Sequence, residues 1–186
     1  MPYQPPPELA GLSLTEIAEQ IATRRLPPVS EWNPQALGES HMHITADGRW
    51  YHEGGEIRRP AMVRAFASLL KREADGTHWL VTPGQKLSIE VDDAPFLAID
   101  LKRESDNLAF RLNTDDLVIA GPDHPIRVSG DPEVPAVYLG VRNGTEARLN
   151  RSTYLQLVEV ALENGGEDDD SLFVTSGGMR FDLVPG

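Results

Sequence analysis

Apolar and polar residues alternate along most of this chain, and only three stretches replace that rhythm with a helical one. The first strand signal is His41-Met42-His43-Ile44-Thr45, followed by an Asp47-Gly48 hairpin turn and a returning strand from Arg49 to Glu53, closed by Gly54-Gly55. Strands are predicted at His78 to Thr82 and Lys86 to Val91 around a Pro83-Gly84 turn. Four more follow, at Phe96 to Leu101, Leu108 to Asn113, Leu117 to Ala120 and Ile126 to Val128. Thr114-Asp115-Asp116 and Gly121-Pro122 punctuate them. Ala136 to Val141 ends in Asn143-Gly144, and Ser171 to Thr175 with Met179 to Val184 complete the set.

The helical stretches carry their own start signals. Ser13 and Glu16 have capping-box spacing ahead of Leu14, Ile17, Ala18 and Ile21, in a short helix that must stop before Pro27-Pro28. Pro60 suits a first helical position and opens a helix predicted to run to about Glu73, where Asp75-Gly76 breaks it. A third spans about Ser152 to Asn164.

The two longer helices share a stripe. Met62, Val63, Phe66, Leu69 and Leu70 answer Tyr154, Leu155, Val158, Ala161 and Leu162, about 92 positions on. Arg59 then maps to Arg151, and Leu80-Val81-Thr82 to Phe173-Val174-Thr175. This predicts an α+β protein made by duplication, each copy a mostly antiparallel sheet with one long helix packed on it. The expected divisions are an N-terminal extension over 1–38, a first repeat over 39–104 and a second over 105–186.

Charge narrows the partners. Lys and Arg number 17 against 29 Asp and Glu, a formal net charge of −12, which repels nucleic acid and anionic membrane surfaces. No apolar run approaches the roughly 20 residues that span a bilayer. The opening Met1 to Pro7 is Pro-rich and reads as an extended leader, not a signal peptide. With no cysteine there are no disulfides or thiolate sites, and a cytoplasmic location is expected.

Few residues carry chemistry. His41 and His43, at strand spacing, offer two imidazoles to a metal but no third ligand at a telling distance, so an exposed polar strand is the plainer reading. His52-Glu53 suggests an acid/base pair, yet neighbours on a strand point to opposite faces. Glu167-Asp168-Asp169-Asp170 lacks the alternating ligands of a calcium loop. No nucleophile elbow, phosphate loop or dinucleotide fingerprint occurs, and no cofactor is expected. The basic cluster is more informative: Arg58, Arg59, Arg142, Arg148 and Arg151 gather near two helix starts in an acidic chain. Guanidinium groups at helix N-termini favour anions, although Glu53, Glu56 and Glu146 are also at hand to pair with them.

Several of these segments together resemble the bacterial domain of unknown function 1285 family. The resemblance is carried by Gly48-Arg49-Trp50-Tyr51-His52-Glu53-Gly54-Gly55, by Arg59-Pro60 with Val63, Phe66 and Ala67, and by Leu80-Val81-Thr82-Pro83. It continues through Glu90-Val91-Asp92-Asp93-Ala94-Pro95-Phe96, Ala120-Gly121-Pro122-Asp123-His124-Pro125 and Arg142-Asn143-Gly144 to Asn150-Arg151. It covers about residues 30 to 184 and implies two similar α+β repeats, with a suggested part in signal transduction or small-ligand binding. The expectation is a non-catalytic module that takes a small anionic ligand or a protein partner between its repeats, as monomer or homodimer. Arg59 and Arg151 would anchor the ligand, with Arg142, His52 and Thr82 nearby. The rival readings are an enzyme built on His52, Glu53 and His124, and a homodimeric scaffold.

Overall fold

The Ser13–Glu16 pair forms the predicted reciprocal cap. Ser13 Oγ accepts from the Glu16 amide at 3.1 Å, and Glu16 Oε1 accepts from the Ser13 amide at 3.2 Å. This starts helix α1 (Leu14–Thr23) in a computed structural model that describes residues 8–131, 133–164 and 172–184. The Met1 to Pro7 leader, the acidic stretch from Glu167 to Asp170 and Ser171 lie outside the described residues.

Strands then dominate. The first six are β1 (Leu37–Ile44), β2 (Trp50–His52), β3 (Gly55–Ile57), β4 (Leu70–Arg72), β5 (His78–Val81) and β6 (Lys86–Val91), with helix α2 (Pro60–Ala67) between β3 and β4. The next six are β7 (Phe96–Glu104), β8 (Asn107–Leu112), β9 (Leu117–Ile119), β10 (Ile126–Asp131), β11 (Val134–Gly140) and β12 (Glu146–Leu149). Helix α3 (Arg151–Asn164) and a hairpin of β13 (Phe173–Ser176) and β14 (Met179–Asp182) follow.

Two six-stranded sheets result, with one topology. The first is ordered β3-β2-β1-β6-β5-β4 and the second, read in the matching direction, β9-β8-β7-β12-β11-β10. In each, two antiparallel three-strand meanders are joined by a parallel pair between the unit's first and last strands: β1 with β6, and β7 with β12. The two-unit organisation predicted from the chain is present, but its register differs. Leu37 to Phe96 is 59 positions and Lys86 to Glu146 is 60, not the 92 that aligned the helices. Strand β7, left in the first repeat by a boundary at 104, pairs within the second sheet.

The two helices therefore do not correspond. Helix α2 lies between the third and fourth strands of its unit, where the second unit has a loop bridged at Gly121 and His124. Helix α3 follows the sixth strand of its own. The expectation of one long helix per repeat fails first at α2, which ends at Ala67. Leu70 leaves the helical stripe to pair with Leu80, and the Leu69 carbonyl accepts from the Val81 amide at 2.9 Å. An apolar i+7, i+8 pair serves a buried strand as well as a helix, so periodicity alone could not place the boundary.

Helix α3 keeps its bounds but is rotated. Asn150 Oδ1 accepts from the Thr153 amide at 2.9 Å, an N-terminal cap worth about 1 kcal/mol. The buried face is Thr153, Leu157 and Ala161, whereas Leu155 and Leu162 of the predicted stripe are 51% and 65% exposed.

One apolar core joins both sheets, from Ile44, Trp50, Leu70 and Leu80 to Phe96, Phe110 and Leu139, and takes in Leu157 of α3 and Phe181 of β14. Strand β8 is buried on both faces because alternate residues serve two cores. Leu108, Phe110 and Leu112 face the main one. Ala109, with Leu117 of β9, packs against Leu9, Leu12 and Ile17 of the N-terminal segment. Lys102 of β7 pins that segment by donating to the Leu12 and Ala10 carbonyls. Residues 8–26 thus form a strap across the outer face of the second sheet, ending where the two units meet.

Candidate functional site

Four parts of the chain converge at that end. The turn between β8 and β9 supplies Thr114, Asp115 and Asp116, with the Leu112 amide donating to the Asp116 carbonyl at 2.8 Å. The turn between β11 and β12 supplies Arg142. Helix α2 contributes Arg64, and Arg24 caps the C-terminus of α1. The Arg142 turn is held tightly. Its Asn143 carbonyl accepts from the Arg72 amide at 2.9 Å, and Gly144, at φ +79°, has its missing Cβ position 2.5 Å from the Arg72 carbonyl oxygen. Only glycine fits there.

The Asp116 carboxylate is 4% exposed and sits among three guanidinium groups. Arg24 Nε donates to its Oδ1 at 2.8 Å, Arg142 Nη2 lies 3.6 Å from Oδ2 and Arg64 Nη2 lies 3.9 Å from Oδ1. Thr114 Oγ1 donates to Oδ2 at 2.6 Å. Arg64 also donates to the Thr114 carbonyl at 2.7 Å, and Arg142 to the Ala67 carbonyl at 3.4 Å, so each unit reaches into the other. The Arg142 guanidinium lies 5.1 Å from the Phe96 ring centre, a cation–π distance.

Donors exceed acceptors here. Two carboxylate oxygens face three five-donor guanidinium groups. Among the described residues, Arg24 Nη2 and Arg142 Nε are buried without a hydrogen-bond partner. The imbalance shows in the protonation equilibria. Burial, and then the neighbouring Arg24 and Arg64 charges, hold Arg142 below its ordinary range despite the attraction of Asp116. Burial would raise the Asp116 carboxyl, but Arg142, Arg24 and Thr114 outweigh it and hold the group below the usual carboxylate range.

Beside this cluster lies a cavity of about 630 Å³. The strap forms one wall through Ile21, Arg24, Arg25 and Leu26; Arg64, Asp116, Leu117, His124 and Arg142 form others. Its four arginines against Asp115 and Asp116 leave two positive charges in the wall of a chain that carries −12. His124 donates through Nδ1 to the Gly140 carbonyl at 3.0 Å, which leaves Nε2 as its second polar atom.

Of the residues expected to bind a ligand, Arg142 lines this cavity, and Arg59, Arg151, His52 and Thr82 do not. Arg59 precedes α2 and Arg151 opens α3, both exposed, at positions that the shared topology does not equate. Thr82 closes the β5–β6 turn by hydrogen bonding with Gln85. His52 ends β2, and Glu53, at φ +49°, occupies the turn after it; both are exposed, while His124 lines the cavity. His41 sits at φ +59° within a bulge of the β1–β6 pairing, so the regular alternation that would align it with His43 is broken. His43 instead meets Asp92, Nε2 to Oδ1 at 2.7 Å, with Glu90 beside them.

Arg24, Arg64 and Asp116 were missed from the chain. They lie far apart in the sequence, and their signal, a buried charge, exists only once the units dock. The Thr114-Asp115-Asp116 turn was legible as a turn but not as the acceptor of the cluster.

A second polar cluster lies at the junction, around the linker that leaves β6. Asp93 accepts from Tyr138 Oη at 2.6 Å and from Arg148 Nη1 at 2.7 Å. Glu146 receives Arg127 in a two-point pair at 2.9 Å for each bond. Arg72 approaches the same carboxylate at 3.6 Å.

Comparison with known proteins matches both units. Residues 27–94 match the domain of unknown function DUF1285, N-terminal domain, and residues 95–183 match the DUF1285 C-terminal domain. The division falls in the linker between β6 and β7, where the sheets part. A crystal structure of a DUF1285 family protein from Silicibacter pomeroyi DSS-3 is 38% identical with a TM-score of 0.76, covering 93% of this chain and 95% of that one. Another, from Shewanella baltica OS155, is 26% identical with a TM-score of 0.53, covering 63% of this chain and 90% of that one. No curated protein matches the chain. The matches to both domain models, together with 38% identity over nearly the whole length, show that this chain belongs to the DUF1285 family.

Proposed function

We propose that this protein is a non-catalytic cytoplasmic module that binds a small anion in the cavity where its two units and its N-terminal strap meet. One observation carries the reading: three guanidinium groups converge on a single buried carboxylate beside a cavity of about 630 Å³. A guanidinium is a planar fork suited to carboxylate and phosphate oxygens, and partial burial strengthens such bonds. The volume falls in the range of roughly 300–1,000 Å³ usual for small-molecule sites. The cytoplasmic assignment is supported by the absence of cysteine and by the lack, among the described residues, of a helix long and apolar enough to cross a membrane.

The test is thermal unfolding with sulfate, phosphate and organic carboxylates at ionic strength matched by sodium chloride. A bound anion raises the melting temperature progressively, because ligand binding to the native state alone stabilises it. Arg142→Gln should abolish that rise. Arg142 also bonds to α2, so Arg25→Gln, an exposed residue of the same wall, gives a second readout in a variant expected to fold normally. A wild-type protein that responds to every salt as it does to sodium chloride overturns the proposal.

A further inference from the structure

The cavity wall has two chemically different parts, and together they specify more than an anion. One part is the guanidinium cluster around Asp116. The other is aliphatic: Ile21 and Leu26 from the strap, and Leu117, Val118 and Val141 from the second unit. Ile21 and Leu26 remain 36% and 40% exposed, although they belong to the segment that also delivers Arg24 to Asp116. Single exposed apolar residues are ordinary on any surface. These two instead line one concavity on either side of Arg24.

Size separates the candidate ligands. About 630 Å³ is room for about twenty waters at roughly 30 Å³ each, so an inorganic sulfate or phosphate would replace only a few of them. A ligand that fills the space needs a body, and the wall describes that body. It contains no Phe, Tyr or Trp, and its single aromatic ring, His124, is tied to the Gly140 carbonyl, so it offers no pair of rings between which a nucleobase would be sandwiched. The surplus of two positive charges suits a head with one or two negative charges, not a long polyanion.

We infer that the ligand of this cavity is an amphipathic aliphatic anion, a carboxylate or phosphate monoester head on an alkyl body. The head lies against Arg24, Arg64 and Arg142, and the body lies along Ile21, Leu26 and Leu117. This inference rests on the anion-binding reading above and adds the chemical class. It also gives the strap a role, since Ile21, Arg24 and Leu26 reach the ligand from a segment that precedes both sheets.

The experiment is calorimetric titration of the full chain with straight-chain carboxylates from acetate to decanoate, kept below micelle formation, with phosphate and octyl phosphate in parallel. Affinity should rise about fourfold per added CH2, as burial of a methylene predicts, and then level off when the cavity is filled. Leu26→Asn and Ile21→Asn, at partly exposed positions, should flatten that dependence and leave acetate binding unchanged. Octyl phosphate binding more tightly than octanoate would identify a phosphate head; the reverse order would identify a carboxylate. Acetate or phosphate binding as tightly as octanoate, with the same loss in Arg25→Gln, overturns the class and leaves anion binding standing. A chain-length dependence untouched by both asparagine variants places the body elsewhere and also overturns the inference. No binding of any anion overturns both readings.

Discussion

The junction between the two units carries two clusters built from the same residue types, and they are balanced differently. Around the linker, Asp93 and Glu146 each meet specific donors in short bonds, and burial is outweighed by pairing. Glu146 above all holds Arg127 above its ordinary range. Arg148, although burial lowers it, is held up by Asp93. Around Asp116 the order reverses: one carboxylate serves three guanidinium groups, and burial with mutual repulsion lowers Arg142. Among the described residues, none of the side chains bonded in the first cluster is buried without a hydrogen-bond partner, although His78 Nε2, in the wall of the small cavity beside it, is. The second leaves donors over beside a cavity. Arginine at a domain junction is therefore uninformative until its acceptors are counted, and the count distinguishes a clasp from a site.

The sharpest way to break this comparison is to remove the shared acceptor. Asp116→Asn takes from Arg24, Arg64 and Arg142 the buried carboxylate charge they share and should destabilise the protein by about 3 kcal/mol, measured by urea unfolding. Because the folded-state pKa of Asp116 lies below its unfolded value, its contribution is complete above the ordinary carboxyl pKa of about 3.9 and is lost as pH falls through the lowered value. The variant should consequently lose part of the wild type's acid-side slope below about pH 4. It should also gain more stability from added sulfate than the wild type does, since an external anion would replace the missing charge. A variant as stable as the wild type, with an unchanged acid limb, would mean that Asp116 does not hold the cluster together.

Much of the fold was legible in the chain and little of this cluster was. Alternation and turn dipeptides located most strands, and the Ser13–Glu16 spacing placed the first helix, because those signals act over a few residues. The closing parallel pairs β1–β6 and β7–β12 join strands some 50 residues apart, and no local pattern marks them. Strands β3 and β12, three and four residues long, are too short to show a period, and β4 is hidden in an apolar stripe that fits a helix as well as a strand. Two amphipathic helices resemble each other because both face a core, and that likeness set the duplication in the wrong register. The matched pair of Arg59 and Arg151 followed from it. Arg142 emerged from its basic surroundings, but its partners at 24, 64 and 116 are neighbours only after the units pack and the strap closes.

A milder change tests the other half of the comparison. Tyr138→Phe removes the hydroxyl that donates to Asp93, whose carboxylate keeps Arg148 as a partner, so the expected loss is about 1 kcal/mol. Arg148 is 38% exposed, and Arg148→Ala should forfeit no more than that in moderate salt. Neither change should alter the response of melting temperature to anions. If either does, the two clusters are coupled through the linker, and the linker cluster is part of the site.

The smallest expected effect is the most discriminating for sequence reasoning. Arg59→Ala and Arg151→Ala, singly or together, should shift stability by less than about 0.5 kcal/mol, because both side chains are exposed and, among the described residues, lack an ion pair. They stand at the starts of helices that occupy unrelated places in the two units, so nothing in the topology brings them to one ligand. The anion response of the double variant should equal that of the wild type, while Arg25→Gln, equally exposed, should weaken it. The double variant and Arg25→Gln, each removing exposed arginine charge, then separate charge in general from charge at the cavity. Were the double variant to lose the response and Arg25→Gln to keep it, the helix starts would be the binding residues, and the surplus of donors around Asp116 would be a feature of packing alone.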